Sequence, residues 1–195
     1  MRKGEMVMVK FPSAAKGLKW MFWGETLSIV CVLAGIIPLM GTPSAVGQFV
    51  CGLLILAGAC WARKDDDRFW MVLFLEAVNL VLWLLDEIGP SRLIDLADGL
   101  IELAVIYLVC TAAAAMLEET GFSGLAAQGI GVWKVFLGCF VGAVIFTVLA
   151  LVVPILALLA GAVMIVCLVV MLVAQIYYLI FLYKSYHALE RTSAI

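Results

Sequence analysis

No charged residue occurs between Lys134 and Lys184. Few folds accommodate such a stretch. One helix of that length would run about 75 Å at about 1.5 Å per residue, far beyond a hydrocarbon core of roughly 30 Å. Two membrane spans fit it, with Pro154 as either a tight turn or a kink between them. Four more apolar runs precede it. The chain has 195 residues, 66% of them hydrophobic, against roughly 45–50% in soluble domains. The expected fold is all-α: a polytopic membrane protein with six transmembrane helices in contact with the lipid bilayer.

Punctuation between the runs gives the boundaries. Helix 1 is expected over about Trp20 to Met40. Gly41, Thr42 and Pro43 turn the chain into helix 2, which runs to about Ala62. The loop RKDDDR (Arg63 to Arg68) is too charged for lipid. Helix 3 spans Phe69 to about Ile88, Gly89–Pro90–Ser91 turns the chain, and helix 4 spans Arg92 to Leu117. Glu118 to Gly131 reads as a loop, helix 5 starts at Val132, and helix 6 ends near Tyr183. This plan divides the chain into a basic amphipathic arm (1–19), hairpins 20–62, 69–117 and 132–183, and a tail (184–195).

Charge placement orients the plan. With six helices both termini share a side. Arg2, Lys3, Lys10, Lys16, Lys19, Arg63, Lys64, Arg68, Lys134, Lys184 and Arg191 all fall there, and Arg92 falls opposite. The positive-inside rule then places both termini in the cytoplasm. Trp20, Trp23, Trp61, Trp70 and Trp133 fall near the same interface, as an aromatic belt would. Tyr177, Tyr178, Tyr183 and Tyr186, with Gln175, mark the inner end of helix 6 and read as interface anchors. The six cysteines lie in apolar segments without a CxxC pair and read as small buried hydrophobes.

The first two hairpins repeat at an offset of 47 residues: Phe22–Trp23 aligns with Phe69–Trp70, Pro43–Ser44 with Pro90–Ser91, and Gly52–Leu53 with Gly99–Leu100. Pro154 would anchor a third copy, giving three pseudo-repeated hairpins. The run GIIPL–turn–PSAVGQFVCGLLILAG (residues 35 to 58) resembles the short-repeat units of the HdeD family of bacterial inner-membrane proteins. That resemblance implies a six-helix fold in a bacterial plasma membrane and a non-transporting role in acid stress.

The second hairpin differs from the others in carrying Glu76, Asn79, Asp86, Glu87, Asp95, Asp98 and Glu102. Acidic groups at membrane depth are costly and mark functional sites. Glu76, Asn79 and Trp83 follow i, i+3, i+7, and so do Asp95, Asp98 and Glu102, so each set forms one stripe on its helix. Asn79 is expected about 15 Å from the inner edge and Glu102 about 15 Å from the outer one, both near the midplane. Asp98 falls near the level of Trp83. Glu25 of helix 1 can join Glu76. Asp86, Glu87, Arg92 and Asp95 are placed at the outer mouth as solvated interface residues. In hairpin one the positions of Asn79, Asp95, Asp98 and Glu102 hold Val32, Gln48, Cys51 and Ile55, so only Gln48 echoes the polar set.

No lysine or arginine shares the depth of Glu76 and Glu102. These groups are therefore expected to be protonated at rest or to hold a cation. The expected substrate- or ion-binding residues are Glu25, Glu76, Asn79, Trp83, Asp98 and Glu102. The same groups would also serve as interhelix hydrogen-bond glue. Two functions follow: a small cation- or proton-coupled transporter or channel subunit, or a scaffold. HExxH and GxSxG motifs, a P-loop and basic nucleic-acid patches are missing from the sequence, so no enzyme, cofactor or nucleic-acid partner is expected. Gly138 and Gly142 form a GxxxG suited to packing or homo-oligomerisation.

Overall fold

A computed structural model describes residues 11–35, 37, 41–89, 91–152 and 157–193. They form six helices: α1 (Pro12–Gly35), α2 (Gly41–Ala62), α3 (Arg68–Ile88), α4 (Arg92–Glu119), α5 (Ser123–Val152) and α6 (Ala157–Ser193). There is no strand among the described residues. All six helices are long and apolar enough to cross a membrane, and the chain is a multi-pass integral membrane protein. Pro154 lies outside the described residues.

Local chemistry sets several ends. Pro12 opens α1, where its missing N–H costs nothing. Two residues on, the Ala14 N–H donates to the Asp65 carboxylate at 2.7 Å. The α2–α3 loop thus satisfies an orphan donor of α1 and places an anion at the positive end of its dipole. Asp66 accepts from the Arg68 N–H at 2.8 Å and pairs with the Arg68 guanidinium at 2.8 Å. Ser91 caps α4 by accepting from the Leu93 N–H, while its own N–H donates to Asp86. Gly121, at φ 86°, ends that helix, and the Phe122 N–H reaches back to the Leu117 carbonyl at 2.7 Å.

Three expected boundaries shift. Residues 12–19 are the first two turns of α1 rather than part of a surface arm. Ala14, Ala15 and Leu18 are buried there, so packing, not the lipid surface, decides their conformation. Residues 1–10 lie outside the described residues. The loop expected over 118–131 shrinks to 120–122, because α5 starts at Ser123 and Gly129 packs against the Phe181 ring. The expected tail from Lys184 continues α6 to Ser193.

Consecutive helices pack pairwise, and α6 packs back on α1, so the three hairpins close into a ring. The α1–α2 pair is the most intimate. A methyl group at Gly17 would meet the Gly58 carbonyl oxygen at 2.5 Å, and one at Gly58 would meet the Gly17 carbonyl oxygen at 2.7 Å. Small residues let backbones approach in this way inside a membrane. Gly138 and Gly142 do not play that part among the described residues: no described atom lies within 4 Å of a methyl group built at Gly138, and Cys167 Sγ, at 3.9 Å, is the one described atom that approaches one at Gly142.

Most buried residues lie at the end of the ring that carries both termini. Phe11, Leu18 and Met21 of the first turns meet Ala59 and Ala62, Phe69 and Val72, Val109 to Leu117, and Tyr178, Phe181, Leu182 and Leu189. Tyr178 and Tyr186 belong to this core, which corrects their expected place as interface anchors; Tyr177 and Tyr183 are exposed. Trp20, Trp23, Trp61 and Trp70 are exposed at the same end, with Lys16 Nζ 3.7 Å from the Trp61 ring centre and Arg63 5.3 Å from that of Trp70. Trp133 instead packs edge-on against Tyr107. With 37 residues, α6 would run about 55 Å at about 1.5 Å per residue, longer than a hydrocarbon core of about 30 Å.

Candidate functional site

Beyond the packed end the ring is hollow. A cavity of about 300 Å³ lies between α1, α2, α3 and α4. The side walls come from Glu25, Ser28 and Val32 of α1, Gln48, Phe49, Gly52 and Ile55 of α2, Glu76, Asn79, Leu80 and Trp83 of α3, and Asp98 and Glu102 of α4. A second, smaller cavity of about 60 Å³ is lined by Trp83, Asp86, Ile94 and Asp98. It shares Trp83 and Asp98 with the first and leads toward the α3–α4 turn.

Every residue expected in the site therefore lines one cavity: Glu25, Glu76, Asn79, Trp83, Asp98 and Glu102. Asn79 and Glu102 share it, as equal depth on antiparallel neighbours requires. Trp83 and Asp98 line both cavities, at the turn-side end of the larger one. Asp86 is not merely solvated: it accepts from the Ser91 N–H at 3.3 Å and latches the turn. The side chains of Glu87, Arg92 and Asp95 lie outside the described residues.

The helical spacing explains the convergence. The stripe Glu76, Asn79, Trp83 sits on one face of α3, and Asp98 and Glu102 sit on one face of α4. The repeat explains the facing wall. Val32 and Ile55, which correspond to Asn79 and Glu102 at the offset of 47, line the same cavity. Gln48, the counterpart of Asp95, lines it too. Hairpins one and two thus offer matching positions to a shared space, and the second hairpin supplies most of the charge.

Four carboxylates line the cavity, and among the described residues no Lys, Arg or His does. Glu76 is 7% exposed and makes no hydrogen bond or ion pair with a described residue. Glu102 is accessible, and it lines the cavity. Glu25 accepts a hydrogen bond from Gln175 Nε2 of α6 at 3.1 Å. Ionised, Glu25, Glu76 and Glu102 would repel one another. Among the described residues the buried Asn79 Oδ1 has no hydrogen-bond partner, and neither has the Trp133 indole nitrogen. An orphan acceptor among carboxylates suits a donor-bearing guest. Among the described residues no three His, Cys, Asp or Glu side chains converge to hold one metal ion.

Sequence reasoning missed Gln175, read as an interface anchor although it is the one amide in the apolar run of α6. It also missed Ser28 and Phe49. Trp83 and Phe49 stand with ring centres 5.7 Å apart, a contact between helices that linear spacing does not reveal. No family model, curated protein or solved structure matches this chain.

Proposed function

We propose that this protein is a small cation- or proton-coupled transporter or channel subunit, and that the acidic cavity is its binding site. One observation carries the reading: four carboxylates share one cavity at membrane depth, with no basic side chain of a described residue on its walls. Joint ionisation of Glu25, Glu76 and Glu102 in a low-dielectric surround is costly, and uptake of protons or cations relieves that cost. The uneven distribution of basic residues supports an orientation with both termini cytoplasmic and the α3–α4 turn outside. In that orientation the smaller cavity near Asp86 lies on the outer approach to the site. A plasma-membrane location accords with the HdeD-like hairpin plan.

The test replaces Glu76 and Glu102 by Gln, which keeps shape and hydrogen bonding and removes the charge. Wild-type protein in liposomes loaded with a pH-sensitive dye should report flux under an imposed proton or cation gradient. Glu76→Gln and Glu102→Gln should lose most of that flux, about tenfold or more, while remaining folded. The Glu25–Gln175 hydrogen bond favours a second reading, a scaffold in which polar groups only join helices. Identical leak in wild type and both variants under every gradient would leave that scaffold reading in place.

A further inference from the structure

The outward face of α1 changes character along its length. Lys16, Lys19, Trp20, Trp23 and Leu27 follow i, i+3, i+4, i+7 and i+11, so they share one stripe of the helix. All five are exposed, while Leu18, Met21 and Gly24 pack inward. The stripe floors an open groove of about 650 Å³, which Leu54 of α2 and Glu190 of α6 also line. Depth divides this groove into a charged rim and an apolar body. Leu27 lies eight residues beyond Lys19, about 12 Å of helical rise. On α2, Leu54 lies seven residues before Trp61, about 10 Å of rise. Both helices thus carry the groove from the level of the exposed tryptophans toward the bilayer interior.

Positive charge gathers at the rim. Lys16 Nζ is 3.7 Å and Lys64 Nζ 4.4 Å from the centre of the Trp61 ring, so two ammonium groups share one indole. Neither makes an ion pair with a described residue. Lys19 Nζ stands 3.5 Å from Glu190, with both side chains about half exposed, and an ion pair so open to solvent holds weakly. Lys16, Lys19 and Lys64 against Glu190 leave the rim positive. The ten residues before Phe11 carry Arg2, Lys3 and Lys10 against Glu5, so their charge does not complement it. An occupant that fits both parts has an anionic head and an apolar body of about 10 Å or more. A soluble anion would leave Trp23, Leu27 and Leu54 uncovered. A zwitterionic lipid would bring a second cation to a rim of lysines.

We infer that this groove is a binding site for an anionic glycerophospholipid, one whose headgroup carries a phosphate and no cation. Lys16 and Lys19 hold the phosphate by charge-assisted hydrogen bonds, Lys19 turning to it from Glu190. Trp20 stands at the headgroup level, where an indole keeps its ring in apolar surroundings and its N–H near water. One acyl chain lies along Trp23, Leu27 and Leu54. The site is separate from the acidic cavity, so flux measurements on Glu76→Gln neither support nor overturn it.

Native mass spectrometry of the purified full-length protein, titrated in detergent with phosphatidylglycerol, phosphatidylcholine or glycerol 3-phosphate, tests this by counting bound molecules. The first phosphatidylglycerol should bind about fivefold or more tighter than the first phosphatidylcholine, as expected from one or two lysines at a headgroup. Glycerol 3-phosphate, an anionic head without chains, should not bind measurably. The double variant Lys16→Gln, Lys19→Gln should bring the two lipids to within about twofold of each other. Lys134→Gln, Lys184→Gln removes the same charge from exposed positions outside the groove and should keep the preference. Equal binding of the two lipids by wild type overturns the inference, and that comparison needs no variant to fold. A preference that survives loss of Lys16 and Lys19 overturns it, and so does one that falls equally with Lys134 and Lys184, since the charge of the whole end would then be responsible. Glycerol 3-phosphate binding as tightly as the lipid overturns it in favour of a soluble anion.

Discussion

Around Leu18, Phe69, Met116 and Phe181 the ring of helices is filled, with each of these side chains fully or almost fully enclosed. A few turns away, around Glu76 and Trp83, the same helices stand around an open space of about 300 Å³. The backbone plan is the same at both ends, so side-chain size and polarity make the difference. The terminus end is lined by Ala14, Ala15, Gly17, Gly58, Ala59, Ala62 and Ala112 to Ala114, which let helices approach closely. Inside a bilayer apolar surface gains little by leaving lipid, so close packing itself must hold helices together. The far end gives up that packing and places carboxylates, amides and two aromatic rings around a void. One end holds the ring together, and the other is free to accept a guest.

Enlarging a residue at each end tests that division most severely. Gly58→Leu forces a side chain into the Gly17 carbonyl and Met21. It should cost upwards of about 4 kcal/mol and prevent recovery of folded protein by size-exclusion chromatography. Gly138→Leu meets no described atom within 4 Å of its Cβ and should elute as wild type does. Truncation sharpens the contrast at smaller scale. Phe181→Ala opens a hole in the filled end and should cost about 3 kcal/mol in a denaturant titration, while Leu80→Ala, on the wall of an existing cavity, should cost under about 1. The smallest effect is expected at the loop. Asp65→Ala removes the acceptor for the Ala14 N–H and should lower stability by about 1 kcal/mol, read as a modest drop in Tm. A loss at Leu80 equal to that at Phe181 would mean that the two ends are not mechanically distinct.

Hydrophobic length and charged breaks made the six helices legible, because lipid permits little else for such runs. The α3 stripe was legible too, since i, i+3, i+7 spacing fixes a face regardless of neighbours. The start of α1 was not. Lys16 and Lys19 read as surface groups, whereas the helix there is set by Asp65, a residue 51 positions from Ala14. Nor was the start of α5, whose glycines mimic a loop until Phe181 packs over Gly129. Gln175 escaped for a similar reason: a lone amide near an interface reads as an anchor. Only the closing of α6 on α1 brings it to Glu25.

That closure has a consequence for how the molecule is made. The ribosome delivers α1 well before α6, yet these two helices are neighbours. Until α6 emerges, Glu25 has no amide to meet it and the ring has an open seam. A chain arrested after α5 would present its acidic interior to surrounding lipid through that gap. The seam shuts only once α6 is made, and a copy lacking α6 leaves Glu25 without its Gln175 partner.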